Sequence, residues 1–573
     1  GYGVSTAYAA KIYREYGKES IDKVRENPYR LADDIWGIGF KTADGIAAKM
    51  GYEKEDPRRC RSGILYTLGQ LSDEGHVYAG EEQLVKTAGQ LLEAGETAIR
   101  DTLAGMLQAE DLILDKEAIY LPPFYHAECG TSRRLRDLAE STGRSLFDGL
   151  FDPSSLTAET GIEYDEVQLA AIRQAVTSKV MVLTGGPGTG KTTTTQGIIA
   201  ALKKAGLRVL LAAPTGRAAK RMSEATGMEA KTIHRLLEYN PQDGYKRNDE
   251  NPLEGDALIV DECSMIDILL MNNLLKAVPV GMRLVLVGDI DQLPSVGAGN
   301  VFGDLIRSER VATVALKDIF RQAEQSAIVR SAHLVNEGQL PELQNTAASD
   351  FFFLPRRDSV RLVDTVVELC RTRLPEKMHI PAESIQVLTA TRKGDTGTAA
   401  LNRALQAALN PAGMGRREKR FGDLVFREGD RVMQTRNDYD VLWEREDGTA
   451  GAGIFNGDVG KILQIDPSGE LISIAFDDRV AAYTADMLAE LDMAYAMTVH
   501  KAQGSEYRAV IFVSAPAAPG LMVRGVLYTA ITRARELLIL VGDDVSLGKM
   551  AANDRRTRRY SGLRWRLGNG GTA

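Results

Sequence analysis

Residues 180–192 read VMVLTGGPGTGKT and run directly into a stretch with helical apolar spacing, TTTQGIIAALKKA. An apolar strand, a glycine-rich loop and a helix in this order predict a phosphate-binding loop. Backbone N–H groups of such a loop surround phosphates, its lysine neutralises their oxygens, and the hydroxyl after the lysine ligates Mg²⁺. We therefore expect ATP to be bound by Gly185, Gly186, Pro187, Gly188, Thr189, Gly190, Lys191, Thr192 and Thr193, with Lys191 also acting in catalysis.

Two acidic residues follow a second apolar run, in ALIVDECSMID at 257–267. Adjacent carboxylates at the end of a buried strand are costly unless they have a function. Taken alone, the two carboxylates could simply cap the next helix. A phosphate-binding loop upstream favours a catalytic role instead. We expect Asp261 to hold Mg²⁺ together with Thr192, and Glu262 to orient or deprotonate the attacking water.

Two glutamines are expected to complete the nucleotide site. Gln292 follows another apolar run, in VGDIDQLPSVGAGN at 287–300, and is expected to contact the γ-phosphate, while Asp289 and Asp291 shape the turn. Gln168, in GIEYDEVQLAAI upstream of the loop, is expected to offer adenine a donor and an acceptor from one amide group.

The order of apolar runs predicts an α/β architecture with two parallel sheets. Short runs that alternate with helical stretches are typical of strands buried on both faces. The first series is VMVLT, RVLLAA, ALIVD and RLVLVGD, and a second series, QVLTA, AVIFV and LLILVGD, begins near residue 386. Between parts of the second series, residues 416–490 are rich in strand patterns with turns at NGD and PSG, which predicts an inserted small β-barrel.

The N-terminal region has a different, mostly helical pattern. GYGVSTA at 1–7 and GIGFKTA at 37–43 share G-x-G-x-x-x-A and resemble tandem helix-hairpin-helix units, which hold DNA backbone through glycine turns and helix N-termini. A purely structural helical hairpin fits these short motifs equally well. Residues 81–150 combine amphipathic helices with a β-hairpin in ILDKEAIYLPP and resemble a winged-helix module, for which DNA binding and packing both stay open.

Composition excludes several classes of protein. The chain has 573 residues, 44% hydrophobic and 26% charged, with no apolar run long enough to cross a bilayer. Its four cysteines form no CxxC pair, so neither a disulfide framework nor a zinc site is expected. We expect no membrane association, a cytoplasmic and nucleoid-associated location, a monomer because no heptad repeat is visible, and a truncated N-terminus because Met is absent.

The net charge gives only weak evidence on whether the protein binds nucleic acid. A value of −8 disfavours non-specific coating of DNA by the whole surface but allows a basic groove. The arginines of NDRRTRRYSGLRWRL, within the C-terminal residues 551–573, are expected to form a solvated basic tail.

The motifs resemble those of one helicase family. In chain order they are DEVQ, GGPGTGKT, LAAPTGRAAKRM, TIHRLL, IVDECSMID, GDIDQLPSVG, IFRQ, TVHKAQGSEY and YTAITRAR. This order resembles superfamily 1 helicases, and most of all the RecD-like branch and its stand-alone members with an N-terminal extension. The resemblance is dense over 160–545 and looser over 1–150.

The resemblance implies a domain plan. Two RecA-like motor domains would lie at 151–345 and at 346–415 with 491–550, with ATP in the cleft between them. The inserted barrel at 416–490 would be SH3-like and guide single-stranded DNA, and 1–80 and 81–150 would be the helix-hairpin-helix and winged-helix regions. Within the first motor domain, the polar stretch 240–253 would be a β-hairpin pin that splits base pairs.

The resemblance also assigns roles to single residues. Arg321 and Arg533 would be arginine fingers on the γ-phosphate, and Glu506 would lie near the ribose. DNA contacts would come from both motor domains and from the barrel, with His234 and His500 as phosphate or backbone contacts and not metal ligands. The predicted DNA-binding residues are Pro214, Thr215, Arg217, Thr232, His234, Thr391, Arg392, Asn456, Thr498, His500 and Lys501.

The sequence thus favours a Mg-ATP-driven helicase that moves 5′ to 3′ on single-stranded DNA, in repair or recombination. Its partners would be single-stranded DNA and junctions with a 5′ tail, and the sequence identifies no protein partner. Two alternatives stay open: a DNA translocase or remodelling subunit without unwinding, and an RNA helicase of the same superfamily.

Overall fold

The computed structural model describes residues 4–35, 37–141, 152–413, 415–555 and 558–568. The first copy of the predicted glycine repeat lies partly outside these residues, as do the predicted boundary at 150 and the last five residues of the predicted tail. The predicted fold class is confirmed: two parallel sheets with flanking helices, one antiparallel barrel-like sheet and a helical N-terminal region. No helix in the described part of the chain is long and apolar enough to cross a membrane.

The N-terminal region begins with short helices around an aromatic core. Gly37 has a φ of +89°, a conformation that favours glycine, and it lies in the turn before the second glycine-repeat helix. Tyr29 and Tyr66 stack on either side of Phe40, with ring centroids 6.0 and 5.2 Å apart. The helices are Thr6–Tyr16, Ser20–Glu26, Arg30–Asp34, Phe40–Lys49 and Pro57–Asp73.

The next module, predicted to be winged-helix-like, combines three helices with a small three-stranded antiparallel sheet. Its helices are Glu81–Leu92, Glu96–Gln108 and Pro122–Glu140, and its strands are Ala79–Gly80, Ile113–Asp115 and Ala118–Tyr120. The hairpin in ILDKEAIYLPP pairs Ile113 with Tyr120. The long third helix packs against helix Ile268–Ala277 of the first motor domain, so the module lies directly on the motor.

The first motor domain contains a six-stranded parallel sheet. Every residue of Val180–Gly185 and of Arg283–Gly288 is buried, because helices cover both faces of the sheet. Across the sheet the strands are Ala312–Leu316, Val180–Gly185, Arg283–Gly288, Ala257–Val260, Val209–Ala213 and Ala230–Thr232. The main helices are Pro153–Thr160, Glu166–Thr177, Lys191–Lys204, Gly216–Thr226, Ile268–Ala277, Val301–Ser308 and Ala327–Asn336, with one-turn helices Ile233–Leu236 and Arg321–Glu324.

The second motor domain has a five-stranded parallel sheet. Its strands, in spatial order, are Phe351–Pro355, Ala534–Gly542, Tyr507–Ser514, Ile385–Thr389 and Ala496–Thr498. The edge strands Phe351–Pro355 and Ala496–Thr498 add to the three predicted ones. Its helices are Ser359–Glu368, Leu374–Met378, Thr398–Leu409, Arg524–Ile531 and Asp544–Ala552.

An antiparallel sheet is inserted between these segments. Its seven strands, in spatial order, are Ala450–Ile454, Asp438–Glu444, Arg479–Thr484, Leu471–Phe476, Val459–Ile465, Arg431–Gln434 and Leu491–Met493. A separate hairpin pairs Glu418–Phe421 with Leu424–Arg427. Alternate residues of Leu471–Phe476 point into one core around Ile472, Ile474 and Phe476.

The hairpin in the polar stretch is shorter than predicted. Only Tyr239–Asn240 and Gly244–Tyr245 pair as strands, whereas the prediction placed the pin over 240–253. The remainder folds back because its side chains find local partners: Arg247 pairs with Glu238 at 3.0 Å, and Asp249 pairs with Arg134 of the winged-helix-like module at 2.5 Å.

The expectation of a solvated C-terminal tail is wrong for residues 558–568. This segment, which we call the C-terminal strap, crosses the first motor domain and ends in helix Leu563–Gly568. Arg559 Nη1 donates to the carbonyls of Gly297 and Gly299 at 2.9 and 2.7 Å. Arg566 is buried against Glu128 at 2.9 Å. Arg559 and Arg566 are therefore bound by protein acceptors instead of by water, whereas Arg555, Arg558 and Arg564 are exposed.

Candidate active site and nucleic-acid interface

The phosphate-binding loop has the backbone that its glycines allow. Gly188 and Gly190 have φ values of +75° and +82°, in the left-handed region that favours glycine. Lys191 then begins the helix Lys191–Lys204, whose free N–H groups face the loop. The loop is held from outside, because the Phe320 N–H donates to the Gly188 carbonyl at 3.1 Å and His333 Nε2 lies 3.1 Å from the Pro187 carbonyl oxygen.

A cavity of about 660 Å³ lies beside this loop and between the two motor domains. A nucleoside triphosphate fits a cavity of this size. The predicted residues that line it are Gly186, Pro187, Gly188, Gly190, Lys191, Thr192, Asp261, Glu262, Gln292, Glu506 and Arg533. The first nine come from the first motor domain and the last two from the second, so the cavity needs both domains.

The acid pair stands at the carboxyl end of strand Ala257–Val260. Glu262 is 3% exposed and has a φ of +54°, an uncommon conformation for a residue with a side chain. Burial acts to raise its pKa, but the positive charges of Arg221 and Lys191 outweigh burial and lower the pKa to about 2. Burial and the neighbouring Glu262 charge raise the pKa of Asp261. The two carboxyl groups therefore differ in how readily they hold a proton.

Two buried oxygen atoms in this region have no hydrogen-bond partner in the protein. They are Glu262 Oε2 and Gln292 Oε1. Buried polar atoms without partners are rare and costly. Thr192 and Asp261 add the hydroxyl and carboxylate oxygens that Mg²⁺ prefers when substrate phosphates complete its coordination. The donor set thus fits a magnesium-bound triphosphate and its attacking water.

Arg533 and Arg321 differ in placement. Arg533 is 1% exposed, and its guanidinium donates to the carbonyls of Ser505 and Thr529 at 2.9 and 3.2 Å. These bonds hold it rigidly at the cavity wall. Arg321 is exposed and does not line the cavity, so its predicted finger role stays a prediction.

Gln168 lies against the loop without lining the cavity. Its Oε1 accepts from the Asp165 N–H at 3.0 Å, as part of a capping box, and its Nε2 lies 3.5 Å from the Gly190 carbonyl oxygen. Both ends of the amide are thus engaged in positioning helix Glu166–Thr177. Its predicted contact with adenine stays a prediction, as do contacts of Gly185, Thr189 and Thr193 with the nucleotide.

Three residues that link the motor domains were not predicted as site residues. Tyr528 donates its hydroxyl to Asp289 Oδ2 at 2.6 Å. Gln503 Nε2 donates to the Leu293 carbonyl at 2.9 Å, and Arg221 contacts carboxylates of both domains. All three lie within the quoted motifs, but their partners are far away in sequence, so no spacing in the chain reveals the contact.

The predicted DNA contacts of the first motor domain lie at the starts of two helices. Thr215 and Thr232 are N-caps whose hydroxyls accept from the N–H groups of Ala218 and Arg235, both at 3.2 Å. Arg217 Nη1 donates to the Tyr507 hydroxyl of the second motor domain at 3.2 Å. Pro214 is half-buried beside them.

The predicted contacts of the second motor domain and barrel divide into two groups. Arg392, Thr498 and Lys501 line one cavity of about 540 Å³, and Lys501 Nζ lies 3.4 Å from Asn456 Oδ1 of the barrel. His500 instead faces another cavity, of about 610 Å³. The Thr391 hydroxyl accepts from the N–H of Lys393 at 3.3 Å within its own loop.

Aromatic rings connect the hairpin to the barrel beside these residues. His234 packs edge-on against Tyr239 at 5.7 Å, and Tyr239 meets Tyr439 of the barrel at 5.2 Å between ring centroids. Phe455 continues the row at 5.4 Å from Tyr439. Among the described residues, no group of three or more His, Cys, Asp or Glu side chains is arranged to hold a metal ion.

Four family models match separate parts of the chain. They are an ATP-dependent RecD2 DNA helicase HHH domain at 1–78, an AAA domain at 168–298, an ATP-dependent RecD-like DNA helicase SH3 domain at 401–476 and a UvrD-like helicase C-terminal domain at 493–541. Their order along the chain matches the helical region, first motor domain, barrel and second motor domain.

Relatives of known name agree with these matches. The chain is 34% identical to the ATP-dependent RecD2 DNA helicase of Deinococcus radiodurans, over 99% of this chain and 77% of that protein. It is 33% identical to the RecBCD enzyme subunit RecD of Mycobacterium tuberculosis, over 70% of this chain and 73% of that protein. A crystal structure of Pif1 helicase from Candida albicans aligns with 69% of this chain and 97% of its own, at 19% identity and a TM-score of 0.41, which is too low to support a conclusion. The extent of the first match shows that the chain belongs to the family of ATP-dependent RecD2 DNA helicases.

Proposed function

We propose that this helicase moves 5′ to 3′ along single-stranded DNA and opens duplex DNA at junctions that carry a 5′ tail. The observation that carries the proposal is the cavity shared by the two motor domains, in which the phosphate-binding loop and acid pair face Glu506 and Arg533. A cleft with walls on two domains couples the state of the nucleotide to the distance between two DNA-binding surfaces. The direction of movement rests on the resemblance to the RecD-like branch.

Within this proposal each residue at the cavity has a separate task. Lys191 neutralises phosphate oxygens, Glu262 orients the attacking water, and Arg533 stabilises charge that develops on the γ-phosphate. Thr192 and Asp261 would hold Mg²⁺, which when bound neutralises charge on the phosphate oxygens. Gln292 links the γ-phosphate position to the loop that contacts the second motor domain through Leu293.

The test is unwinding of two partial duplexes, one with a 5′ and one with a 3′ single-stranded tail, in the presence of Mg-ATP. We expect only the 5′-tailed duplex to open, and we expect Lys191→Ala to abolish opening. Lys203→Ala is the matched control, because Lys203 is exposed at the far end of the same helix and should leave unwinding unchanged.

Other results would point to the alternatives. Opening of the 3′-tailed duplex alone would overturn the direction and keep the helicase. Stimulation of ATP hydrolysis by DNA without opening of either duplex would favour a translocase or remodelling factor. Stronger stimulation by RNA than by DNA would favour an RNA helicase. Omission of Mg²⁺ should stop hydrolysis, which tests the requirement for the ion.

A further inference from the structure

Arg221 occupies a central position in the cleft, although no role in the proposed function requires it. It lies on helix Gly216–Thr226, and its side chain is 28% exposed. One guanidinium nitrogen, Nη2, bonds to Oε1 of Glu262. The other, Nη1, lies 2.8 Å from Oε1 of Glu506 in an ion pair that lacks the alignment of a hydrogen bond.

The two carboxylates that Arg221 joins belong to different motor domains. Glu262 follows strand Ala257–Val260 of the first domain, and Glu506 precedes strand Tyr507–Ser514 of the second. Because a guanidinium spreads its charge over two terminal nitrogens, it can hydrogen-bond one carboxylate and pair by charge with another, which the single ammonium of a lysine does less well. The contact between Arg221 and Glu506 therefore forms only when the second motor domain lies close to Glu262.

The contact also fixes which oxygen of Glu262 is available. Oε1 is bound by Arg221, whereas Oε2 is buried and has no protein partner. A carboxylate held through one oxygen presents the other in a defined direction. Because Glu262 is 3% exposed, few other groups can take over this orienting role.

We propose that Arg221 is a positioning residue for ATP hydrolysis: it aims the free oxygen of Glu262 at the attacking water, and Glu506 keeps it in place when the second motor domain closes. The inference rests on the proposed function, because it assumes that Glu262 orients this water. It adds a physical link between closure of the cleft and the geometry of catalysis.

The first test separates kcat from nucleotide binding in the full chain. We expect Arg221→Ala to lower kcat for DNA-stimulated ATP hydrolysis by about 10², the cost of misplacing a reacting group by about 1 Å. Affinity for a non-hydrolysable ATP analogue and for single-stranded DNA should change little, and the latter shows that the variant is folded. Arg221→Lys should recover part of kcat, because it keeps the charge without the fork.

Lys220→Ala is the matched control. Lys220 is the neighbouring residue on the same helix, but its ammonium points away from the cavity, 3.7 Å from Asp477 of the barrel. We expect this variant to retain the wild-type kcat. An Arg221→Ala variant that also retains it would overturn the proposal.

A double-mutant cycle with Glu262→Gln tests whether Arg221 acts through Glu262. We expect Arg221→Ala to lower kcat no further once Glu262→Gln is present, and effects that multiply would overturn the proposal. If Glu262→Gln alone keeps the wild-type kcat, Glu262 does not orient the attacking water, and the proposed function is wrong on this point. If Glu262→Gln is inactive but Arg221→Ala is fully active, the role of Glu262 stands and only the role inferred for Arg221 is wrong.

Glu506→Gln tests the contribution of the second domain. If Glu506 holds Arg221, this variant should lower kcat, and it should add no further loss in the Arg221→Ala background. A rise in KM with unchanged kcat would mean that Glu506 serves only the ribose and would overturn this half of the proposal.

Discussion

At the scale of single residues, the predicted DNA contacts differ in the charge they bring to a phosphate. Arg392 brings a guanidinium group that is 68% exposed, and its ion pair with Asp492 at 3.0 Å lies at the surface, where such pairs contribute little. His500 is half-buried, and this burial together with the positive charge of Arg559 lowers its pKa below the ordinary value. Near pH 7.5 His500 is therefore neutral, and its predicted contact with DNA would add no charge.

This difference predicts two salt dependences for binding of single-stranded DNA at pH 7.5. Arg392→Ala should weaken binding and reduce the slope of log K against log salt concentration by about 0.7, because one phosphate contact is lost. His500→Asn should leave the slope unchanged even if affinity falls. Fluorescence anisotropy over a series of salt concentrations measures both, and a reduced slope for His500→Asn would show that the imidazole is charged in the complex.

Site residues could be predicted from the sequence where their neighbours in the site are also near them in the chain. The loop at 185–192 and the acid pair after Val260 are local patterns, and the structure brings both to one cavity. It failed for Arg221 and Tyr528, because their partners lie in another motif or domain. Arg221 is 285 residues from Glu506 in the chain, and only the fold brings them together.

At the scale of elements, the hairpin at Tyr239–Tyr245 is compact, as the predicted role of a wedge requires. Two short strands pair through Tyr239 with Tyr245 and Asn240 with Gly244, and the Gln242 N–H donates to Asn240 Oδ1 at 2.9 Å across the tip. Tyr239 also contacts Tyr439, so the barrel supports the base of the hairpin. Each step of duplex costs about 1.4 kcal/mol to open, so a rigid wedge needs a motor to drive it.

We predict that replacing the tip residues Pro241, Gln242 and Asp243 by glycine abolishes unwinding and spares DNA-stimulated ATP hydrolysis. The change leaves the aromatic contacts of the strands intact and removes only the side chains at the tip. The control is Pro467→Gly with Ser468→Gly in an exposed turn of the barrel, which should preserve both activities. Parallel loss of ATP hydrolysis and unwinding in the tip variant would mean that the hairpin serves the motor and does not split base pairs.

Among elements, the buried strands were easier to predict than the polar stretches. The apolar runs of both motor domains became parallel strands, since burial on both faces leaves a clear pattern. The pin was predicted too long because Arg247 and Asp249 look solvent-facing in the sequence but bind Glu238 and Arg134. The strands Asp438–Glu444 and Ala450–Ile454 were not identified, because the first mixes acidic with apolar residues and the second consists mostly of glycine and alanine.

At the scale of the whole molecule, the C-terminal strap joins regions from the two ends of the chain. The Tyr560 carbonyl accepts from the Val77 N–H at 2.8 Å, and Ser561 Oγ donates to Asp304 at 2.8 Å in the first motor domain. The strap leaves the second motor domain after helix Asp544–Ala552. It thereby connects the winged-helix-like module to both motor domains. The arginine-rich composition does not predict this docking of the strap, because Arg566 and its acceptor Glu128 are 438 residues apart in the chain.

The strap is held by an ion pair that should be costly to break. Glu128 is 0% exposed, and it accepts from Arg566 Nε at 2.9 Å, from the Tyr120 hydroxyl at 2.7 Å and from the Gly562 N–H at 3.0 Å. Arg566 also contacts Asp115 at 2.6 Å. Removing one partner of a buried pair leaves an uncompensated charge, at a cost of about 3–5 kcal/mol.

We therefore predict that Arg566→Ala releases the strap from the winged-helix-like module. Hydrogen exchange should show lower protection in helices Leu563–Gly568 and Pro122–Glu140, with an opening free energy reduced by up to about 3–5 kcal/mol, while the parallel sheet of the second motor domain keeps its protection. Arg564→Ala is the matched control, because Arg564 is exposed on the same short helix and its loss should cost little. Equal protection in the two variants would mean that apolar packing of Leu563 and Leu567 is sufficient to dock the strap, and that the Arg566–Glu128 pair contributes nothing to holding the two ends of the chain together.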